Sequence, residues 1–243
     1  MEFNFDSEDN VKAIKTPAIK VLNGDAKLWI CDDNVQLCRW REDNKNLIYH
    51  SLKTVEEDTI SGKIILNPRI LILQRSRLLK VEINTERIVK VWARDDKNEI
   101  HYCVRKYMIL FVDENNNPLH EIPVQLTAKG CFQFEFDSKL CEFRTEMTKL
   151  YNERATRMND AWYSMCVFVP TFKSMMRGKG NKQRKACITT TYESPTKDNW
   201  LSLCVGRRDD PANKFWVDAE GTYTQHVYKL YSDTLNACEV KGW

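Results

Sequence analysis

The 243 residues contain no nucleotide-binding glycine fingerprint, no paired metal-ligand motif and no nucleophile signature. Gly178-Lys179-Gly180-Asn181-Lys182 is glycine-rich and basic. It fits neither the Gly-x-x-x-x-Gly-Lys-Ser/Thr frame nor Gly-x-Gly-x-x-Gly, which excludes the two common phosphate loops. The four histidines, 50, 101, 120 and 226, are far apart, and no Cys-x-x-Cys pair accompanies them. That excludes the usual zinc spacings, and His50 and His101 fall in strand-like runs. No Gly-x-Ser-x-Gly elbow occurs. Acid clusters at Glu56-Glu57-Asp58, Asp95-Asp96 and Asp209-Asp210 sit in turn-like contexts, as solvated turns do. Glu239-Val240-Lys241 spells part of a magnesium-nuclease motif, but it lies at the end of a helix-like stretch. The expectation is a protein that is not an enzyme, with no cofactor and no metal.

Membrane and secretory signals are equally scarce. The most apolar stretch, 107–112, is too short to span a bilayer. The first ten residues carry Glu2, Asp6, Glu8 and Asp9 and no basic residue, unlike a signal peptide, and no Asn-x-Ser/Thr acceptor is present. Nine cysteines stand at 31, 38, 103, 131, 141, 166, 187, 204 and 238. The count is odd, the spacing is wide, and most neighbours are apolar. Reduced, buried cysteines in a cytoplasmic protein are expected.

Hydrophobic residues make up 42% and charged residues 29%, enough for a sizeable core under a solvated surface. Net charge is only +3, so its distribution matters more than its sum. Residues 173–185 carry Lys173, Arg177, Lys179, Lys182, Arg184 and Lys185 and no acid.

Along the chain, 1–15 reads as a flexible acidic arm. Residues 16–243 read as one β-rich globular domain. An extended piece over Ala18–Leu22 closes in a turn at Asn23-Gly24-Asp25. Residues 26–40 are ambiguous between strand and short helix. Candidate strands follow at 47–53, 64–75, 80–93 and 100–112, rich in Ile, Val, Leu and Tyr. Asn67-Pro68 breaks the second run, and 95–98 and 113–118 read as hairpin turns. The period then lengthens to that of a helix over 137–157, capped by Asp137 or Ser138. Its apolar stripe is Leu140, Phe143, Met147, Leu150, Tyr151 and Arg154. Strands are expected again at 161–169, 186–192 and 200–206. A terminal helix at about 222–237 starts from the capping box at Thr222 and Gln225. This order predicts an α+β, mostly β chain. The fold is either an OB-like barrel or a sheet with one helix inserted between strands and a C-terminal helix.

Three stretches carry a resemblance: 67–76 (NPRILILQRS), 118–130 (PLHEIPVQLTAKG) and 188–196 (ITTTYESPT) continued through Leu203. They resemble an uncharacterised family associated with cyanobacteria and their phages or plasmids, over about 45–206. No motif in that family has an assigned role. The resemblance implies a cytosolic protein tied to a viral or mobile DNA setting.

What chemistry remains lies in the basic stretch and its aromatic neighbours. Phe172 precedes it, and the flanking runs carry Trp162, Tyr163, Phe168 and Tyr192. Arg69, Arg75 and Arg77 share one strand parity and are expected on one sheet face. A cationic groove with ring platforms is how single-stranded nucleic acid is held without sequence preference. The expected site is therefore Lys173, Arg177, Lys179, Lys182, Arg184, Lys185, Phe172, Arg75, Arg77 and Trp162, with single-stranded DNA or RNA as partner. The alternatives are core rings beside a plain soluble loop, a structural or assembly protein working through protein contacts or a homo-oligomer, and a metal-dependent nuclease.

Overall fold

The computed structural model describes residues 16–41, 45–54, 57–85, 87–92, 101–151, 158 and 160–205. The expected arm at 1–15, the turn at 95–98, the end of the helix stripe at Arg154, and the terminal helix lie outside them.

The elements follow in order: β1 (Ala18–Leu22), β2 (Lys27–Cys31), α1 (Asp32–Leu37), β3 (Leu47–Tyr49), β4 (Leu52–Lys53), β5 (Thr59–Ile60), β6 (Gly62–Ile65), β7 (Ile70–Arg75), β8 (Leu79–Glu82), β9 (Ile88–Val91), β10 (His101–Phe111), β11 (Val124–Lys129), α2 (Gly130–Tyr151), α3 (Asp160–Ser164), β12 (Val167–Phe168), β13 (Pro170–Arg177) and β14 (Arg184–Tyr192). The chain is α+β and mostly β. Ten strands form one mixed sheet in the order β12-β7-β10-β11-β1-β2-β6-β3, with β8 and β9 branching from β10. The path ends at β12 and β3, which do not pair, so the sheet is open. Of the two expected architectures, the structure takes the sheet with an inserted helix and not a barrel.

β10 organises the sheet. Tyr107 to Val112 are buried on both faces, so this run shows no polar alternation. β7 and β8 lie end to end along one side of it, pairing with 107–111 and 101–104 respectively. At the join, Ser76 donates its N–H to the Lys106 carbonyl while its Oγ accepts the Lys106 N–H at 2.9 Å, so the ladder continues through a break in strand geometry. On the other side, β10 pairs with β11, and β11 pairs with β1 in parallel. Gly62 allows β6 to pass under Trp29, because an added Cβ would overlap the Trp29 ring and the Ile30 carbonyl. The expected turn at 113–118 is present. Asp113 Oδ1 accepts the N–H groups of Asn115 and Asn117 at 2.9 and 2.8 Å, closing an Asx turn.

α2 starts seven residues before the expected cap. Phe132, Phe136, Leu140, Phe143 and Met147 form its buried stripe, at spacings of four, four, three and four. Phe136 meets Tyr107 at 5.1 Å, Phe132 at 5.4 Å and Phe168 at 5.5 Å between ring centres. Leu140, Phe143 and Met147 of the expected stripe are buried, but Leu150 is only half-buried and Tyr151 is 52% exposed, so the buried stripe lies further toward the N-terminus than expected. α2 packs against β10, β11 and β14.

Three further expectations differ. Residues 161–169 form α3 and the short β12, not one strand. The expected strand at 200–206, described as far as 205, opens with a 3₁₀ turn at Trp200–Leu203. Within the expected run 80–93, of which 86 and 93 lie outside the described residues, β8 and β9 pair as an antiparallel hairpin.

Candidate nucleic-acid interface

The basic stretch is not a loop. It is the outer half of an antiparallel hairpin, β13–β14, closed at 178–183. Gly178 (φ 104°) and Gly180 (φ 53°) give the turn its left-handed backbone. These glycines serve the turn. The inner half of the hairpin is anchored: Ser174 Oγ donates to the Asn23 carbonyl at 2.8 Å, and the Cys187 N–H donates to Asn23 Oδ1 at 3.1 Å. Beyond that anchor the side chains of Met175, Met176, Arg177, Lys179, Arg184 and Lys185 are exposed, as is Lys173 just before it. Lys182 lies in the turn. The register sets Arg177 directly opposite Arg184, and the Arg177 Nη2 reaches Glu135 Oε1 of α2 at 3.4 Å.

The expected ring platforms are occupied by packing. Phe172 faces Phe132 at 5.7 Å, and Trp162, on α3, packs against Tyr151 at 5.1 Å and Tyr163 at 5.3 Å. Tyr163 and Phe168 are buried. Phe134 on α2 is 69% exposed instead, a ring outside the expected set.

The three expected arginines part company. Arg69 is a structural cross-link, donating to the Asp113 carbonyl at 3.2 Å and Asn116 Oδ1 at 3.0 Å and pairing with Glu193 at 3.5 Å. Opposite one step on β10, from Met108 to Ile109, β7 takes two, from Gln74 to Ile72. That bulge at Leu73 reverses the parity, so Arg75 joins the face of Tyr107 and Ile109, under α2, while Arg69 does not. Arg77 stays exposed in the break between β7 and β8.

Arg75 enters a second cationic feature. Asp137 accepts hydrogen bonds from the Tyr107 hydroxyl, from Arg105 Nη1 at 3.2 Å and from Gln133 Nε2 at 2.5 Å, with Arg75 Nη1 at 3.8 Å. Arg144 lies over the Tyr163 ring at 4.7 Å and pairs with Asp160 at 3.5 Å. Burial, and next the Asp137 charge, push the Tyr107 phenol well above its ordinary value, so it remains a donor. Burial, and next the Arg75 charge, lower Arg144. A groove of about 700 Å³ opens here, lined by Arg75, Arg77, Arg105 and Arg144, with Ser76 and Trp92.

His120 is a core group. Its Nε2 accepts the Phe111 N–H at 2.9 Å, which leaves Nδ1 to donate to the Ile122 carbonyl at 2.8 Å. Burial pulls its pKa from 6.5 to about 4. The folded value lies below the unfolded one, so stability is full above pH 6.5 and falls as pH drops toward 4. Between pH 7 and pH 5 this group is expected to remove about 2 kcal/mol. Urea melts at both pH values check it. The stability gap between wild type and His120→Gln should narrow by that amount at pH 5, and an unchanged gap would contradict the assignment.

Among the described residues, no three His, Cys, Asp or Glu side chains are placed to hold a metal. No described helix is long and apolar enough to cross a membrane.

The fold places the chain in the α+β, mostly β class, built on an open sheet with an inserted helix. The chain belongs to the family described as Domain of unknown function (DUF5895), whose model matches residues 14–227. It is also 41% identical to Uncharacterized protein 254L of Invertebrate iridescent virus 6, over 90% of this chain and 78% of that one. The family is thus an uncharacterised one with a viral relative. No solved structure gives a significant match.

Proposed function

We propose that the chain binds single-stranded nucleic acid, with little sequence preference and without catalysing a reaction on it, through the outer half of the β13–β14 hairpin. The observation that carries this reading is the register. Arg177 and Arg184 face each other directly across the two strands, an arrangement that is unfavourable unless an anion lies between them. Glu135 offsets one of the two charges. Lys173, Lys179 and Lys185 extend the same field along the arm, and the exposed Met175 and Met176 offer apolar contact to bases. A cytoplasmic, reducing location fits the eight described cysteines, all free thiols, and a viral setting fits the iridescent-virus relative.

An assembly role has one observation of its own. Val89 and Val91 on β9 and Ile83 in the turn after β8 are 42, 40 and 48% exposed, a small apolar surface of the kind that packs against a partner.

The test neutralises the arm. Replacing Arg177, Lys179, Arg184 and Lys185 by glutamine should move stability by no more than about 0.5 kcal/mol per site, as for exposed sites generally. Oligonucleotide affinity should fall, and the salt slope should flatten by about 0.7 per lost contact. Equal binding by a folded variant would place the interface elsewhere.

A further inference from the structure

Among the described residues, the groove between β7, β10, α2 and α3 holds more positive charge than its neighbours offset. Four guanidiniums, those of Arg75, Arg77, Arg105 and Arg144, line it. Among the described residues two carboxylates answer them. Asp137 is already engaged by Tyr107, Gln133 and Arg105. Asp160 pairs with Arg144 from a position 82% exposed, where solvent weakens its pull. Arg75 meets Asp137 at 3.8 Å, beyond hydrogen-bond distance. Its side chain is 30% exposed, while those of Arg105 and Arg144 are 19% and 11% exposed. Holding like charges together in so sheltered a place is unfavourable, and a ligand with several charged acceptor oxygens relieves it. The half-buried Trp92 adds an aromatic wall, while the Ser76 hydroxyl is committed to the Lys106 N–H and the Arg77 carbonyl.

We infer that this groove is a binding site for a phosphomonoester carried on a nucleoside. The arginines grip the phosphate, and Trp92 lies against the base. The ligand is either a free nucleotide or the 5′-phosphorylated end of a strand, which share this chemistry. The site goes beyond the hairpin reading and does not depend on it, because it lies on different elements.

The test uses the full chain and three probes: adenosine monophosphate, and one oligonucleotide with either a 5′-phosphate or a 5′-hydroxyl. Calorimetry measures each against wild type, Arg75→Gln and the neutralised hairpin variant. A free-nucleotide site binds the monophosphate and ignores the state of the 5′ end. A strand-end site prefers the 5′-phosphate by about tenfold, the size of one charged hydrogen bond. Either preference should drop by about tenfold in Arg75→Gln and persist in the hairpin variant. Should Arg75→Gln not fold, the exposed Arg77→Gln reads the same groove. No binding of the monophosphate together with no 5′-phosphate preference overturns the inference. So does binding that both groove variants retain in full.

Discussion

Replacing Phe136 by alanine is expected to cost about 3–5 kcal/mol of stability, the range for a large ring removed from a full core. The ring is 0% exposed. It stacks on Phe132 and meets the edges of Tyr107 and Phe168, so its loss opens a cavity bounded by α2, β10 and β12 at once. No single neighbour can fill that space without leaving another contact. Urea unfolding of wild type and variant measures the difference. Phe136→Leu should recover part of it, since it restores volume without ring contacts. A loss under about 0.5 kcal/mol, typical of a surface site, would mean that the docked face of α2 is a different one.

Asp137→Ala is expected to cost a comparable amount, about 3–5 kcal/mol, for a different reason. The carboxylate is 17% exposed and sits between Arg75 and Arg105. Removing it leaves two sheltered guanidiniums without their shared counter-charge. It also leaves the buried Tyr107 hydroxyl without its acceptor, which is unfavourable in its own right. Asp137→Asn keeps an acceptor for Tyr107 and loses only the charge, so it should fall between alanine and wild type. Chemical denaturation at neutral pH separates the three proteins. Equal stability of all three would remove Asp137 from the architecture of the groove.

The sequence made the sheet legible and the cationic sites only half so. Continuous apolar runs such as 107–112 declared buried strands, and the shift of period near Gly130 declared a helix after them. The start of that helix was obscured because Asp137 resembles a cap. In the structure it is a mid-helix residue turned toward arginines on β7 and β10. The basic stretch read as a loop because Gly178 and Gly180 dominate its composition, yet its flanks carry Met, Phe and Ser at strand spacing. Strand parity alone puts Arg69 and Arg75 on one face; the bulge at Leu73 breaks that parity, and nothing in the residues around Leu73 announces it. Two signals for the groove were available. Arg105 shares the parity of the buried Tyr107 and Ile109, a charge on a core-facing register that needs a partner. Asp137 and Arg144 are seven residues apart, on one side of α2.

Fluorescence anisotropy of the wild-type chain with a labelled single-stranded oligonucleotide, at about 50 mM and about 200 mM salt, tests the central claim most directly. Binding at the lower salt that weakens steeply at the higher one is the expected result, because phosphate contacts release counterions. No binding at about 50 mM salt, where such contacts are strongest, would contradict it.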